Sequence, residues 1–527
     1  MRDFHHPGRS AVYAVGGICA TSHPVAASVG LQMLQRGGNA VDAAIAAAAT
    51  LTICEPHMCA LGGDAFALVK PAGSEAVVGL NGSGRAPAGL DAAGLRARGL
   101  GAIPPGGVES VTLPGAVDAF CALSERFGKL GLDAVLAPAI AHADEGVPVA
   151  PRVASDWARS ADRLQGAART HYLPGGDAPG VGTRFRAPGL AEVMRRIATR
   201  GRDGFYAGPV ADDMLASLRV AGGTHTEADL AATRCDWTEP VVSDYRGATL
   251  LEHPPNGQGA AAALLLNILS HFDLAALDPL GAERAHLEAE ATKLAYDARD
   301  RFIADPDHCT RLAHMLAPET AARLAGLIDL RRALPVPVAP ATAAIHRDTV
   351  LVCAADRDGM AVSLIFSIFH SFGSGLASER YGILFQNRGA GFTLTHGHPN
   401  EAAGGKRPLH TIIPAMLAGD GRVSHVFGVM GGAYQCTGHA RAVSNLRDYG
   451  MDVQAALDAP RSFATDGVLE IEAGYAPAVR DRLAALGHAV VMRPDPLGGG
   501  QIIAIDHERG VLIGGSDPRK DGYAAGF

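Results

Sequence analysis

The chain has 527 residues, a hydrophobic fraction of 48% and a formal net charge of −8 at pH 7. This composition supports a large buried core, and the absence of a basic patch argues against a nucleic-acid partner. No stretch approaches the roughly 20 apolar residues of a membrane span, and residues 1–7 lack the apolar segment of a secretory signal. We therefore expect a cytoplasmic protein with no membrane partner and no linker between independent domains.

The predicted elements before residue 300 are mostly helices. Helices are predicted where apolar residues recur with helical spacing, over residues 22–36, 39–52, 115–145 and 286–296. Strands are predicted in the short apolar runs 65–69 and 75–80. On the helix over residues 286–296 and just beyond it, Glu288, Glu290 and Asp297 are interpreted as a solvated face with charge pairs four residues apart.

A β-hairpin is predicted after a segment rich in Pro and Ala, residues 334–344. Its first strand begins at Thr349, and its second strand, residues 360–369, follows an Asp-Gly turn. Taken alone, this segment is best explained as an ordinary hairpin, because Thr favours strands. A strand that begins with Thr after a flexible leader is also what an N-terminal nucleophile hydrolase requires. Cleavage between Asp348 and Thr349 would give Thr349 a free α-amine beside its hydroxyl, so that one residue supplies both nucleophile and base.

Sequence blocks on both sides of this hairpin resemble those of the γ-glutamyltranspeptidase family in order and approximate spacing. The blocks are residues 36–44, 55–57, 62–66, 372–375, 404–409, 431–432, 449–454 and 459–461. The resemblance covers nearly the whole chain and implies an α+β fold, a four-layer αββα sandwich. It also implies self-cleavage into a large subunit, residues 1–348, and a small subunit, residues 349–527, which form one interleaved unit. The assembly is then either a heterodimer or a dimer of heterodimers.

The resemblance also implies the catalytic roles. Thr349 would be the nucleophile, and the backbone N–H groups of Gly431 and Gly432 would stabilise the oxyanion that forms when it attacks an amide. Ser367 stands where the family has a Thr that hydrogen-bonds the nucleophile and assists self-cleavage. Without the resemblance, the two glycines would be interpreted as a plain turn and Ser367 as an ordinary strand residue.

The positions that hold the substrate depart from the family pattern. The Arg that binds the α-carboxylate of a γ-glutamyl group is replaced by Ser83, and an Arg occurs only at Arg85. The Asp that pairs with the α-ammonium is Gly391, and the neighbouring Gln is Arg388. Loss of such a pairing carboxylate costs about 2–5 kcal/mol of binding, so a γ-glutamyl group should bind badly.

Other substitutions in the pocket are aromatic or polar. An Asn of the family is replaced by Phe369, and a Ser-Ser pair by His410 and Thr411. His370 and His410 are candidates to orient the amide nitrogen of the substrate. A small anion without an amine fits Arg388 or Arg85 through a bidentate carboxylate contact.

This variant pattern resembles the branch that contains oxamate amidohydrolase of purine catabolism, which converts oxamate to oxalate and ammonia. We therefore hypothesise a small carboxylate-bearing amide as substrate. Two alternatives remain open at this point. One is a γ-glutamyl hydrolase, transpeptidase or acylase with a rebuilt pocket, and the other is an inactive homologue that serves as a binding protein.

Neither a cofactor nor a metal is expected. The eight cysteines are scattered without a CxxC pair and are expected to be small buried hydrophobic residues. The histidines show no ligand spacing, and the loop pair His396 and His398 is not predicted to bind a metal.

Overall fold

The computed structural model of the chain describes residue 5, residues 8–335 and residues 347–527. The strands of the described residues are β1 (Val12–Ala14), β2 (Gly17–Thr21), β3 (Asp64–Lys70), β4 (Val78–Gly82), β5 (Val147–Pro148), β6 (Arg184–Phe185), β7 (Asp236–Thr238), β8 (Val241–Tyr245), β9 (Ala248–Glu252), β10 (Arg347–Asp356), β11 (Ala361–His370), β12 (Ala415–Gly419), β13 (Arg422–Met430), β14 (Ser462–Thr465), β15 (Val468–Ile471), β16 (Val490–Met492), β17 (Gly499–Asp506), β18 (Val511–Ser516) and β19 (Tyr523–Gly526).

The α-helices of the described residues are α1 (Pro24–Gln35), α2 (Ala40–Cys54), α3 (Ala92–Ala97), α4 (Ala116–Phe127), α5 (Leu132–Glu145), α6 (Pro151–Ser160), α7 (Gly166–Tyr172), α8 (Pro188–Arg200), α9 (Asp203–Tyr206), α10 (Pro209–Val220), α11 (Glu227–Ala232), α12 (Gly259–Leu269), α13 (Ala282–Phe302), α14 (Leu312–Leu316), α15 (Pro318–Ala325), α16 (Gln435–Arg447), α17 (Val453–Asp458) and α18 (Pro477–Ala485). In this part of the chain, no helix has both the length and the apolar character needed to cross a bilayer.

Two seven-stranded sheets form the centre of the fold. The strand order is β1-β18-β17-β13-β12-β9-β8 in one sheet and β19-β2-β10-β11-β3-β4-β7 in the other. In both sheets, strands that precede position 349 pair with strands that follow it: β1 pairs with β18 and β9 with β12 in one sheet, and β2 pairs with β10 and β3 with β11 in the other. Both sheets therefore draw hydrogen bonds from both halves of the chain.

The two sheets pack face to face, and helices cover their outer faces. Strand β10 contacts β13 and β17 of the opposite sheet, while α1, α2 and α4 lie on the outer face of the second sheet and α12, α16 and α17 on that of the first. Every residue of α2 is buried, and its many alanines allow close approach to the sheet. The predicted α+β fold with four αββα layers is confirmed.

Local sequence explains the first helices. Gly37 has a φ of +91° and separates α1 from α2. Helix α2 then begins with a capping box, in which the Asn39 side chain accepts from the N–H of Asp42 while the Asp42 carboxylate accepts from the N–H of Asn39. The predicted break between two helices at this position is confirmed.

The predicted hairpin is confirmed as β10 and β11, which pair antiparallel. The register shifts between Asp348 and Val350, so that Thr349 lies opposite two residues, Ser367 and Ile368. This is a β-bulge, a feature that bends a strand and is common beside active sites. The Pro/Ala-rich leader predicted over residues 334–344 lies outside the described residues from position 336 onward.

The prediction for the α13 carboxylates is only partly right. Glu288 and Glu290 are 2% and 0% exposed, so the prediction of a solvated face is wrong for both. Glu288 pairs with Arg284 one turn earlier, as charge spacing indicated, and also with Arg441 on α16. Asp297 remains partly exposed. The sequence could not reveal that helix α16, which follows position 349 in the chain, covers this face.

Candidate active site

Thr349 lies at the start of the bulged hairpin and is 1% exposed. Its Oγ1 donates a hydrogen bond to Ser367 Oγ at 3.2 Å. The bulge forces an unusual backbone on the partner strand, where Phe369 has a φ of +77°. A side chain in this left-handed region costs about 1–2 kcal/mol. The local fold therefore carries strain at the point where Ser367 meets Thr349, as functional sites often do.

Ser367 connects Thr349 to a cationic group. Besides the Thr349 hydroxyl, its Oγ accepts from the backbone N–H of Phe369 at 2.9 Å and from Arg388 Nη2 at 3.3 Å. These donors fix the position of the Ser367 oxygen, and the guanidinium favours negative charge on it. The arrangement can orient the Thr349 hydroxyl and stabilise charge that develops during proton transfer.

Arg388 is a fully buried cation in this cluster. It begins a 3₁₀ turn, Arg388–Gly391, and its Nη1 donates to Thr411 Oγ1 at 3.0 Å. Its guanidinium lies 4.1 Å from the centre of the Phe369 ring, a cation–π contact. Arg388 is thus held between two hydroxyl groups and an aromatic face, next to Ser367.

The Gly431-Gly432 pair forms a tight turn between β13 and α16. The φ angles are +123° at Gly431 and +60° at Gly432, and a Cβ on Gly431 would lie 2.9 Å from the Cα of Gly498. Glycine is therefore required here for both conformation and space. Among the described residues, no side chain or loop carbonyl accepts from either amide. The 3₁₀ turn Gly432–Tyr434 contacts β10, whose first residues include Thr349.

Gln258 joins the glycine turn to the Arg388 cluster. Its Nε2 donates to the carbonyl oxygens of Thr411 at 2.7 Å and Gly432 at 3.0 Å. Its Oε1 accepts from Arg299 Nη1 at 3.0 Å, which fixes the amide orientation. Gln258 therefore links the backbone of Thr411, whose hydroxyl binds Arg388, to the carbonyl of Gly432.

His410 is buried and pairs with the carboxylate of Asp64. Its Nε2 lies 3.0 Å from Asp64 Oδ2, and its Nδ1 accepts from the N–H of Ile412 at 3.3 Å. Burial, and then the positive charge of Arg388, hold the pKa of His410 well below its usual value. The ring is therefore neutral and donates from Nε2. Because protein groups engage both nitrogens, His410 is a poor candidate to orient an amide.

Asp64 receives three hydrogen bonds in this buried position. They come from the N–H of Gly84 at 2.8 Å, Gln386 Nε2 at 2.8 Å and His410 Nε2 at 3.0 Å. Burial raises the pKa of Asp64 to about 6, although the charge of Arg388 and these hydrogen bonds oppose that increase. The charge of Arg388 and these hydrogen bonds favour the ionised form of Asp64, which balances part of the charge of Arg388.

His370 follows the bulge and stacks on Phe369, with ring centres 4.2 Å apart. Its Nδ1 lies 2.7 Å from Asn387 Nδ2, and Asn387 Oδ1 accepts from the N–H of His370 at 3.1 Å. The second bond fixes the orientation of the amide, so His370 Nδ1 is an acceptor. A neutral His370 then carries its proton on Nε2, and this N–H is the one that could donate a hydrogen bond to a substrate.

Arg85 contacts other groups than the Ser367 and Thr411 hydroxyls that Arg388 binds. Its side chain is 41% exposed, lies 3.3 Å from Asp305 and 3.9 Å from Asp236, and donates to the carbonyl of Gly405. Two carboxylates therefore balance its charge. Of the two arginines that the sequence singled out, Arg388 is the one that contacts Ser367.

Three residues of this site were missed as functional candidates. Gln258, Asn387 and Asp64 each come from a different segment and meet only in the folded chain. Asp64 belongs to one of the sequence blocks that carried the resemblance, but nothing in the sequence pairs it with His410. Gln258 precedes an Ala- and Leu-rich helix and gives no local signal.

Replacement of Thr411 by Val is expected to lower kcat/KM by about 10- to 100-fold. Valine keeps the shape but removes the oxygen that accepts from Arg388, and a hydrogen bond to a charged group contributes about 1.5–3 kcal/mol. Thr411→Ser, which retains the hydroxyl, is the matched control and should remain near the wild-type value. Steady-state kinetics on the purified wild-type protein and the two variants measure the difference. Equal activity of Thr411→Val and the wild type would contradict this function of Thr411.

Three comparisons relate the chain to known proteins. Residues 26–527 match the family model described as Gamma-glutamyltranspeptidase. The chain is 36% identical to the "Glutathione hydrolase-like YwrD proenzyme" of Bacillus subtilis, over 96% of this chain and 97% of that protein. It is 35% identical to the "Oxamate amidohydrolase proenzyme" of Klebsiella pneumoniae, over 97% of this chain and 98% of that protein.

The fold agrees with these matches. The cephalosporin acylase from Bacillus halodurans superposes with a TM-score of 0.93 at 39% identity, covering 100% of this chain and 99% of that structure. By name, the relatives are hydrolases, an acylase and an amidohydrolase, and they match over nearly their full lengths. The chain therefore belongs to the gamma-glutamyltranspeptidase family and is an amidohydrolase of the N-terminal nucleophile class.

Proposed function

We propose that this amidohydrolase cleaves itself before Thr349 and then hydrolyses a small amide that bears a carboxylate, with oxamate as the best candidate. The observation that carries the proposal is the buried guanidinium of Arg388, 3.3 Å from Ser367 Oγ, which in turn contacts the hydroxyl of Thr349. A cation fixed this close to a nucleophile favours a substrate whose negative charge lies near its reacting carbonyl.

Self-cleavage begins with attack of Thr349 Oγ1 on the carbonyl carbon of Asp348. The C–N bond of the peptide breaks, its nitrogen takes the hydroxyl proton and becomes the free α-amine, and an ester forms on Oγ1. Water then hydrolyses this ester and releases the carboxyl end of residue 348. The proposed subunits are residues 1–348 and residues 349–527. Ser367 and the strained bulge support the first step by holding the hydroxyl beside its own peptide bond.

Turnover uses the new amine as base. The α-amine, with a reference pKa near ~8, accepts the hydroxyl proton as Oγ1 attacks the amide carbon of the substrate. The tetrahedral oxyanion is stabilised by the N–H groups of Gly431 and Gly432. Ammonia leaves with the transferred proton, and water attacks the remaining ester to give the acid and regenerate Thr349. A water-derived hydroxyl thus replaces the amide nitrogen.

The pocket supports a small anion over a γ-glutamyl group. A substrate carboxylate is a stronger acceptor than the hydroxyl groups that now receive the Arg388 hydrogen bonds, and the guanidinium can bind it with two parallel bonds. At the position of the missing ammonium partner, a Cβ on Gly391 would lie 2.8 Å from the carbonyl oxygen of Leu409. The backbone is therefore too close to accommodate a carboxylate side chain there.

Ammonia release from a panel of short amides tests this proposal. We expect oxamate to be the best substrate, followed by malonamate and succinamate as the carboxylate moves away from the amide. Glutamine should react poorly, and a chromogenic γ-glutamyl anilide should not react, because Gly391 stands where the family has the Asp that pairs with the α-ammonium. Oxamide, which has the size of oxamate without its charge, serves as the matched control and should be much slower.

The same panel distinguishes the alternatives within the family. Several relatives are named as glutathione hydrolases or acylases. Release of the anilide without oxamate turnover would overturn the small-anion proposal and indicate a γ-glutamyl enzyme with a rebuilt pocket. Hydrolysis of larger acyl amides alone would indicate an acylase.

A further inference from the structure

A buried cluster of two histidines and a carboxylate lies outside the active site. His286 and Glu290 are one turn apart on α13, and His488 follows α18. One ligand atom of each lies within 4.8 Å of the others, and all three residues are buried. His286 Nδ1 and His488 Nε2 share a hydrogen bond of 2.8 Å, and Glu290 Oε1 is 3.9 Å from His488 Nε2.

We propose that this cluster binds a divalent transition metal of the zinc type through His286 Nδ1, His488 Nε2 and Glu290 Oε1. Two imidazoles and one carboxylate are a ligand set that zinc and its neighbours accept, with a fourth position left for water. Zinc lies about 2.0–2.1 Å from each nitrogen, so two tetrahedral ligands are roughly 3.3 Å apart. The two histidine nitrogens would therefore separate by about half an ångström on binding.

The groups around the cluster already hold two ligands in a suitable orientation. His286 Nε2 donates to the carbonyl of Asp329 at 2.8 Å, which directs the lone pair of Nδ1 toward the cluster. The other carboxylate oxygen of Glu290, Oε2, accepts from the N–H of Leu334 at 2.6 Å. A histidine ligand that donates its other N–H to a carbonyl is the usual outer-shell arrangement of protein metal sites.

The ammonium group of Lys293 competes with a metal ion for the carboxylate of Glu290. Its Nζ donates to Glu290 Oε1 at 2.6 Å and to the carbonyl of Leu334 at 3.1 Å. An ammonium on the oxygen that should bind the metal weakens affinity by repulsion and by occupying the acceptor. A neutral residue at position 293 should therefore bind the metal more tightly.

The site joins segments from both sides of position 349. His286 and Glu290 precede that position, while His488 follows it, and the N–H of Ala333 donates to the carbonyl of Leu486 nearby. The cluster opens onto a cleft of about 560 Å³ that His488 and Lys293 help to line, which gives an ion a route of entry. If the chain is cut as proposed above, the metal would join helix α13 of the large subunit to the small subunit. The binding itself does not depend on that cut.

Zinc titration of the chelator-treated protein by calorimetry, with metal content measured after desalting, tests the site. We expect one zinc per chain. His286→Ala and His488→Ala should each weaken binding by at least 10-fold, and Lys293→Gln should strengthen it several-fold. The double replacement of His396 and His398 in the exposed loop is the matched control and should leave binding unchanged. Cobalt bound to the wild-type protein should show the visible absorption of a four-coordinate nitrogen and oxygen site.

Other results would overturn the proposal. Unchanged zinc binding in both buried-histidine variants, or its loss only in the loop variant, would assign the ion to the surface. Weaker binding by Lys293→Gln would contradict the competition between the ammonium and the metal. Because Lys293→Gln removes no ligand and little volume, it gives an answer even if the histidine variants fail to fold.

Discussion

Replacement of Thr349 by alanine is expected to leave one uncut chain of 54.2 kDa with no amidase activity. Alanine lacks the hydroxyl that attacks the preceding peptide bond, and without the cut no free amine forms at position 349. Denaturing mass spectrometry should therefore show a single species, where the wild type gives two fragments that begin at residues 1 and 349. Ammonia release from oxamate should fall to the background.

Thr349→Ser is the matched control for this experiment. It keeps a hydroxyl beside Ser367 and should cleave itself and turn over substrate at a reduced rate, because serine lacks the methyl group that restricts its rotamers. Cleavage of Thr349→Ala before position 349 would show that another group or a protease cuts the chain. Amidase activity in an uncut Thr349→Ala protein would remove Thr349 from the mechanism altogether.

Replacement of Arg388 by glutamine is expected to lower kcat/KM for oxamate by about 30- to 5,000-fold. This range corresponds to the roughly 2–5 kcal/mol of stabilisation that is lost when one partner of a buried charge pair is removed. Glutamine can still donate to the hydroxyl of Ser367 or Thr411, but it carries no charge to balance a substrate carboxylate. The loss should be much smaller for oxamide, which has no carboxylate. Steady-state kinetics with the two amides on the same preparation measure this difference.

Arg85→Gln is the control for that result. Arg85 is 41% exposed and is paired with Asp305, so we expect its replacement to change kcat/KM by less than about threefold, as for most exposed ion pairs. Equal losses for oxamate and oxamide in Arg388→Gln would mean that Arg388 positions Ser367 and does not bind the carboxylate. A larger loss in Arg85→Gln than in Arg388→Gln would assign the carboxylate to Arg85.

The sequence predicts the parts of this fold that depend on neighbouring residues. The hairpin that begins near Thr349 follows from two apolar runs around an Asp-Gly turn, and the break at Gly37 follows from the conformational freedom of glycine. The family resemblance supplies the layered architecture, because its blocks occur in the same order along the chain. Each of these features depends only on neighbouring residues or on the order of the sequence blocks along the chain.

The rest of the site depends on contacts between distant segments. The sequence offers both Arg85 and Arg388 as partners of a substrate carboxylate, and only the folded chain shows that Arg388 contacts Ser367. Nothing near Gln258 indicates that it bridges Thr411 and Gly432. The same applies to His286 and His488, whose spacing along the chain resembles no metal motif. Long-range pairing, which local periodicity cannot encode, decides all of these positions.

Both sheets pair strands from opposite sides of position 349, and this has a consequence for the lifetime of a cleaved enzyme. If the chain is cut before Thr349, strands such as β2 and β10 belong to different polypeptides yet share a hydrogen-bonded edge. Neither fragment could leave without opening both sheets, so the pair would persist through a high barrier to unfolding. Once heat has separated the fragments, refolding would require two chains to meet again. The half-life of the enzyme at a given temperature would then be set by its rate of inactivation and not by a reversible unfolding equilibrium.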